Sequence, residues 1–488
     1  MTMLKLQNSN LSSPPKLGIA LGGIVIGLGV GFLTGVNPLM VSAILFAVAL
    51  LIWFFAKFEQ AVIGLLILRS SLDPLSSMQI PAAFAIGLNL LTLLYVTLKL
   101  LTGQQIKVDK FWWFLGSWIV LQGLWVILLP LGGLGLNSSF LIDSIRELFR
   151  LFSWLMVYLL VMQLEGRISP EKLISRLFWA LLIPLTIAFL QIILPPSLLP
   201  PLLASQAAGD ASVASLSRIN GTLGHPNTFA TFVLLFIGLT LWKLGQSKQR
   251  LPWLILLGIL AFFFVSTRAI FGLVMLLVFV LVLTIPKLKP INIIGGLILL
   301  VFIFGLFASS EFGQERLASL AQTPLFNPDI DVSRAISLSA GDNNSFNWRI
   351  AQWHYLLEQW QHYPVFGYGL GLSQHVATNQ LYPHNDYVRA LVEGGIVGLV
   401  TFVTLLVAQV IRLIAFIRNT PRGSAQNQLS FILLAVFFAI PVGMLTENIW
   451  SHTTLFFYWW TISSVVSWQW SSPQNSHALN YKDYLVAK

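Results

Sequence analysis

The sequence contains no cysteine, so it can build no disulfide framework, thiolate zinc site or iron–sulfur cluster. Charge is scarce. Only 9% of the residues are Asp, Glu, Lys or Arg, against about 25% in a soluble domain. There is no P-loop, no dinucleotide-binding glycine fingerprint and no Ser/His/Asp set in a hydrolase context. What the chain has is apolar length: 56% of its 488 residues are hydrophobic and its mean hydropathy is +0.79. Runs of about 20 apolar residues recur from end to end, which excludes a soluble enzyme, a disordered protein and a fibrous one. A transmembrane β-barrel would show short alternating segments instead. The expected fold is all-α, a polytopic transmembrane helix bundle. The net charge of +10 would suggest nucleic acid in a soluble protein. Here the placement of the charges matters more, and membrane lipids rather than nucleic acid are the expected partners.

The apolar runs predict fourteen spans, near 17–35, 39–56, 59–74, 82–101, 111–130, 147–163, 174–195, 227–243, 252–267, 269–285, 291–308, 390–411, 427–446 and 453–470. Arg69, Ser70, Ser71 and Asp73 interrupt the third. The first run follows a polar start and lacks a small-residue cleavage pattern, so it is expected to stay as an anchor. With both termini in the cytoplasm, all lysines fall inside. The external bases are then Arg69, Arg146, Arg150, Arg218, Arg268, Arg316, Arg334, Arg349 and Arg389, every one an arginine. That sorting obeys the orientation rule. Arginine also suits phosphate, because its planar fork binds two oxygens at once. The chain divides into N-terminal helices (1–195), central helices with a first Arg/His cluster (196–308), a large external loop (309–389) and C-terminal helices with a tail (390–488). Within the loop the pattern predicts an amphipathic helix from Asn347 to His362, with Trp353 and Trp360 as apolar anchors.

Four clusters carry candidate chemistry. Arg218 precedes Gly221, Gly224, His225, Pro226 and Asn227. Pro226 suits the first turn of a helix, which puts His225 at its start, and an arginine beside free helix N–H groups makes an anion site. A turn with a helix cap would explain the glycines, Pro226 and Asn227, but not Arg218. Ser266-Thr267-Arg268 is a short external turn, in which Arg268 either meets substrate or anchors at lipid headgroups. Arg349 and Trp353 stand four residues apart, so the ring can hold the guanidinium. Gly367, Gly369 and Gly371 follow, as a loop beside a ligand or a plain turn. His384-Asn385-Asp386 ends the large loop; a neutral histidine there can take a proton from a hydroxyl, or Asn385 or Asp386 simply caps the next helix. His354, Glu358 and His362 share a helix face, but the outer two lie about 12 Å apart by rise alone. At most two could share an ion. External carboxylates are too sparse to indicate a Mg²⁺ site. No metal and no cofactor is expected.

In this order the motifs resemble the O-antigen ligase and O-antigen polymerase (Wzy-type) superfamily of bacterial membrane glycosyltransferases. The motifs are Arg218 with Gly-His225-Pro226-Asn227; Ser266-Thr267-Arg268; Arg349-x-x-x-Trp353 with Pro364, Gly367 and Gly369; and His384-Asn385 with Glu393-Gly-Gly-Ile-x-Gly398. The resemblance covers about residues 215–450, and the earlier residues by topology only. It implies transfer of a glycan from an undecaprenyl-diphosphate carrier to an acceptor hydroxyl at the periplasmic face of the bacterial inner membrane, without metal and with inversion. The acceptor would be a growing glycan, a lipid A core or a protein hydroxyl. Arg218, Arg349 and Arg268 would bind the diphosphate and His384 would be the base, with His225, Asn227, Trp353 and Asn385 in support. Members of the superfamily have about twelve spans, so fourteen puts the third run or the pair around Arg268 in question. The alternative is a transporter of a small anion such as bicarbonate, which would favour paired broken helices at mid-membrane.

Overall fold

A computed structural model describes residues 38–204, 218–284, 290–321, 323–324, 327, 329–340 and 345–470. The predicted first span (17–35) and the C-terminal tail lie outside these residues. The chain forms two units, Met1–Val62 and Ile63–Lys488. The first unit holds α1 (Pro38–Ala56) and the start of α2 (Phe58–Leu68).

The second unit is built of helices joined by turns and loops, with no strand among its described residues. After α2 come α3 (Ile80–Leu101), α4 (Lys110–Leu128), α5 (Leu141–Met162), α6 (Pro170–Leu177) and α7 (Leu182–Ile193). Next are α8 (Pro226–Gln246), α9 (Leu251–Ser266), α10 (Ile270–Thr284) and α11 (Pro290–Ser309). The large loop contributes α12 (Glu311–Ala321), α13 (Val332–Ala340), α14 (Ser345–Trp360) and the single turn α15 (Ser373–Val376). The chain then closes with α16 (Asp386–Asn419), α17 (Ala425–Gly443) and α18 (Thr453–Val466).

Among the described residues six helices are long and apolar enough to cross a membrane: α3, α4, α6 with α7, α8, α16 and α17; α9 and α10 are shorter apolar helices. The chain is thus an all-α polytopic membrane protein, with fewer full-length spans among these residues than the apolar runs predict. The third predicted span is corrected outright. Its helix ends at Leu68, and 3₁₀ turns follow at Arg69–Ser71 and Asp73–Met78. The Arg69 guanidinium meets the Asp73 carboxylate at 2.6 Å and donates to Thr453 Oγ1 at 2.8 Å. A buried charge needs partners, and these two residues find theirs by leaving the helix.

Short polar side chains start the helices. Asp109 accepts from Trp112 N at the head of α4, Asn385 from Tyr387 N and Val388 N at the head of α16, and Ser424 from Asn427 N at the head of α17. Each fills an N–H that the first helical turn leaves open. The core gathers around α18, whose residues Thr454–Val466 are all buried, packed on α5 and α8. Trp154 of α5 meets Trp450, Phe456 and Trp460 there, with ring centroids 4.6–5.9 Å apart.

The 34-residue α16 is broken at Gly395, where φ is 62° and ψ −160°. Its freed backbone groups pair with the loop segment 364–369. Tyr368 N donates to Val392 O, Gly369 N to Glu393 O and Ile396 N to Pro364 O, each at 2.9 Å. A Cβ on Gly395 would lie 2.2 Å from the Val365 carbonyl carbon, so only glycine allows this approach. The Gly367–Gly371 stretch is therefore the piece that docks the large loop onto a membrane helix. Leu356 of α14 joins Tyr368 and Val392 in a small buried cluster at the same place.

Candidate functional site

Three separated stretches meet at the ends of α8, α16 and α17. His225 caps α8, with Pro226 in the first turn, and its Nδ1 accepts from Asn227 N at 3.1 Å. Arg218 donates from Nη2 to Asn227 Oδ1 at 2.8 Å and from Nε to Thr267 O at 3.1 Å. The 218–227 cluster and the 266–268 turn are thereby joined. Asn227 Nδ2 in turn donates to Glu447 Oε2. The other carboxylate oxygen, Oε1, lies 3.2 Å from His384 Nδ1 and accepts from Asn448 N at 3.1 Å. A continuous chain of contacts thus runs Arg218–Asn227–Glu447–His384. Arg349 reaches the same place from α14, donating to Thr446 O at 3.0 Å.

His384 is shaped by its backbone as well as its partner. Its φ is +48°, a conformation that non-glycine residues adopt rarely and that clusters at working sites. The next residue, Asn385, is the cap of α16, and Asp386 N donates to Met444 O at 2.9 Å. The turn that aims the imidazole is thus tied down on both sides. Nδ1 is directed at Glu447, and Nε2 is the ring nitrogen on the far side from it.

Glu447 is the residue that sequence reasoning missed as a site member. Its only signal was an acidic side chain at the end of an apolar run, which is costly unless used. Burial pushes its carboxyl up. The His384 hydrogen bond, with the charges of His384, Arg349 and His452, outweighs burial and holds it well below the usual carboxylate range. It is a fixed negative charge. His452 beside it is buried with Nδ1 3.0 Å from Thr231 Oγ1, and burial pulls its imidazole down to about 4.

Other expectations meet a different geometry. Trp353 does not provide the ring beside Arg349; the guanidinium carbon lies 5.8 Å from the Trp348 ring centroid. The Trp353 indole N–H donates to Pro383 O, which holds the segment just before His384. Helix α14 runs from Ser345 to Trp360, close to the predicted amphipathic helix. His354 and Glu358 make an exposed pair at 3.5 Å, and His362 Nδ1 lies against Gln359 O at 3.1 Å. No group of three or more His, Asp or Glu side chains among the described residues is placed to hold a metal ion. Arg268 has φ +52° and lines a cavity of about 410 Å³ with Ile219, Phe262, Ser266 and Phe307. Phe262 also borders an apolar groove of about 940 Å³ between α7 and α9. Arg389 and Glu393 belong to a separate buried ion network. Arg389 bridges Glu147 at 3.0 Å and Glu393 at 2.8 Å, while Glu393 accepts from Gly371 N at 2.8 Å and Ser373 Oγ at 2.7 Å.

The fold and site define a helical membrane protein that gathers arginines, histidines and the buried Glu447 carboxylate at the helix ends. A family model described as O-antigen ligase matches residues 253–403, less than half of the chain, so this segment is similar to the O-antigen ligase family. The matched segment carries Arg268, Arg349, Trp353, His384 and Asn385. Arg218, His225, Asn227 and Glu447 lie outside it. No curated protein matches the chain. The apolar helices and the family match support a bacterial membrane glycosyltransferase of the O-antigen ligase type.

Proposed function

We propose that the chain transfers a glycan from an undecaprenyl-diphosphate carrier to an acceptor hydroxyl, at the periplasmic face of the inner membrane and with both termini cytoplasmic. The observation that carries this reading is the Arg218–Asn227–Glu447–His384 chain with Arg349 beside it. His384 Nε2 takes the proton of the acceptor hydroxyl. The freed oxygen attacks the anomeric carbon as the bond to the diphosphate breaks, and the lipid diphosphate leaves. A single displacement of this kind inverts the anomeric centre. Glu447 orients the imidazole and faces the positive charge it acquires, the role a carboxylate plays behind a general base. Arg349 and Arg218, with Arg268 at the cavity wall, neutralise the charge growing on the diphosphate, so that fixed cations do the work a metal ion does elsewhere. The apolar groove that shares Phe262 with the lining of the Arg268 cavity suits a lipid-linked donor.

The anion-transporter alternative gains one broken helix, at Gly395. The loop 364–369 takes up its freed backbone groups, which leaves them unavailable to an ion. Deletion of the gene, with gel profiling of surface polysaccharide and of carrier-linked intermediates, tests the proposal. Loss of long glycan with accumulated full-length carrier-linked chains identifies a ligase. Accumulated single carrier-linked repeat units identify a polymerase. An unchanged profile overturns the proposal and makes anion uptake the next assay.

A further inference from the structure

The proposed reaction gives partners to the diphosphate and to the acceptor proton, but none to the sugar being transferred. A pyranose carries hydroxyls at its rim and apolar C–H groups on its faces, and an aromatic ring is the side chain that covers such a face. Trp348 is placed for this. Its ring centroid lies 5.5 Å from that of His384, at an interplanar angle of 81°, and 5.8 Å from the Arg349 guanidinium carbon. The indole is only partly buried.

The order of groups in a single displacement is fixed: phosphate, sugar, acceptor oxygen, base. Trp348 stands beside the group proposed for the first and the group proposed for the last. Each of them also has contacts other than the indole. His384 is held by Glu447 and by the capped turn at Asn385, and Arg349 by Thr446 O. Two other aromatic side chains of this region are committed elsewhere. The Trp353 indole is bonded to Pro383 O, and Tyr382 lies 4.0 Å under the Arg389 guanidinium with its hydroxyl on Gly371 O.

We infer that Trp348 is the platform for the carrier-proximal sugar of the donor, a hexose or hexosamine with a face of axial C–H groups. This rests on the glycosyltransferase reading and adds a sugar subsite to it.

The test compares two ligands on the full-length protein in nanodiscs: undecaprenyl diphosphate without sugar, and the same lipid diphosphate carrying an oligosaccharide. Wild type is expected to bind the sugar-bearing carrier more tightly. Trp348→Ala should weaken that ligand roughly tenfold, as loss of an aromatic stacking contact does. Its Kd for the sugar-free lipid should stay within about twofold. Trp348→Phe, which keeps an aromatic face, should fall between. Equal weakening of both ligands would overturn the inference, because the ring would then only place Arg349. Unchanged binding of both would overturn it as well. If wild type binds neither lipid, the glycosyltransferase reading fails first and the inference falls with it.

Discussion

Glu447→Gln removes one negative charge and keeps the side chain's size. In the native site Oε1 lies 3.2 Å from His384 Nδ1. Two unit charges about 4 Å apart near a protein surface interact by about 4 kcal/mol, which is the stabilisation lost when His384 becomes an imidazolium opposite a neutral amide. At about 1.4 kcal/mol per decade, that is roughly a thousandfold in rate. An amide can also present its NH2 to Nδ1. The proton then moves to Nε2 and the base is lost, a tautomer error that costs about 10⁴ in a catalytic triad. The expected fall in kcat is therefore about 10²–10⁴. Asn227 Nδ2 can still donate to the amide oxygen, so the fold should survive. The carboxyl is held well below its usual range by His384, Arg349 and His452 against burial. Its contribution to stability is thus complete above about pH 4.3, the ordinary carboxylate value, and is lost as pH falls through the lowered folded value. The assay is glycan transfer at saturating donor near pH 7.5, with thermal unfolding as the control. A folded Glu447→Gln protein within threefold of wild type would refute the reasoning.

Arg349→Lys keeps the charge but loses the planar fork; the transfer rate should fall roughly a hundredfold, the scale of losing one transition-state donor, and an unchanged rate would make Arg349 structural only. Gly395→Ala puts a Cβ 2.2 Å from Val365 at a positive φ, so thermal unfolding should register a loss of about 3 kcal/mol or more. His452 stays neutral in the folded chain, with its imidazole pulled down to about 4 by burial. An unfolded histidine takes a proton near pH 6.5, so stability is complete above that pH and is lost as pH falls towards 4. Between pH 7 and 5 the loss should be about 2 kcal/mol, and His452→Gln should flatten that part of the unfolding curve. Transfer should persist in excess chelator, and a strict divalent-metal requirement would return attention to His354 and Glu358.

Much of this molecule was legible in the amino-acid sequence because membrane helices must satisfy their own backbone and so write themselves as long apolar runs. The start of α8 at Pro226, with His225 as its cap, followed from local chemistry alone. So did the helix around Trp353, and a cap at Asn385 or Asp386, of which the structure uses Asn385. The third span was misread because hydropathy averages over Arg69 and Asp73, while the chain breaks to pair them. Trp353 was matched to Arg349 by spacing, but the indole N–H is taken by Pro383 across the turn. Glu447 escaped because its partners, Asn227 and His384, lie 220 and 63 residues away. No local pattern encodes such a contact. The break at Gly395 was invisible for the same reason, since the segment that repairs it comes from the loop before α16.

The most direct test of the central claim uses membranes of the deletion strain, which should hold both accumulated carrier-linked glycan and unmodified acceptor. Purified protein is added in excess chelator, and long glycan and free undecaprenyl diphosphate are measured together. The expected result is that wild type forms both products in parallel and His384→Ala forms neither. Transfer by His384→Ala at the wild-type rate, or no transfer by wild type, would contradict the account.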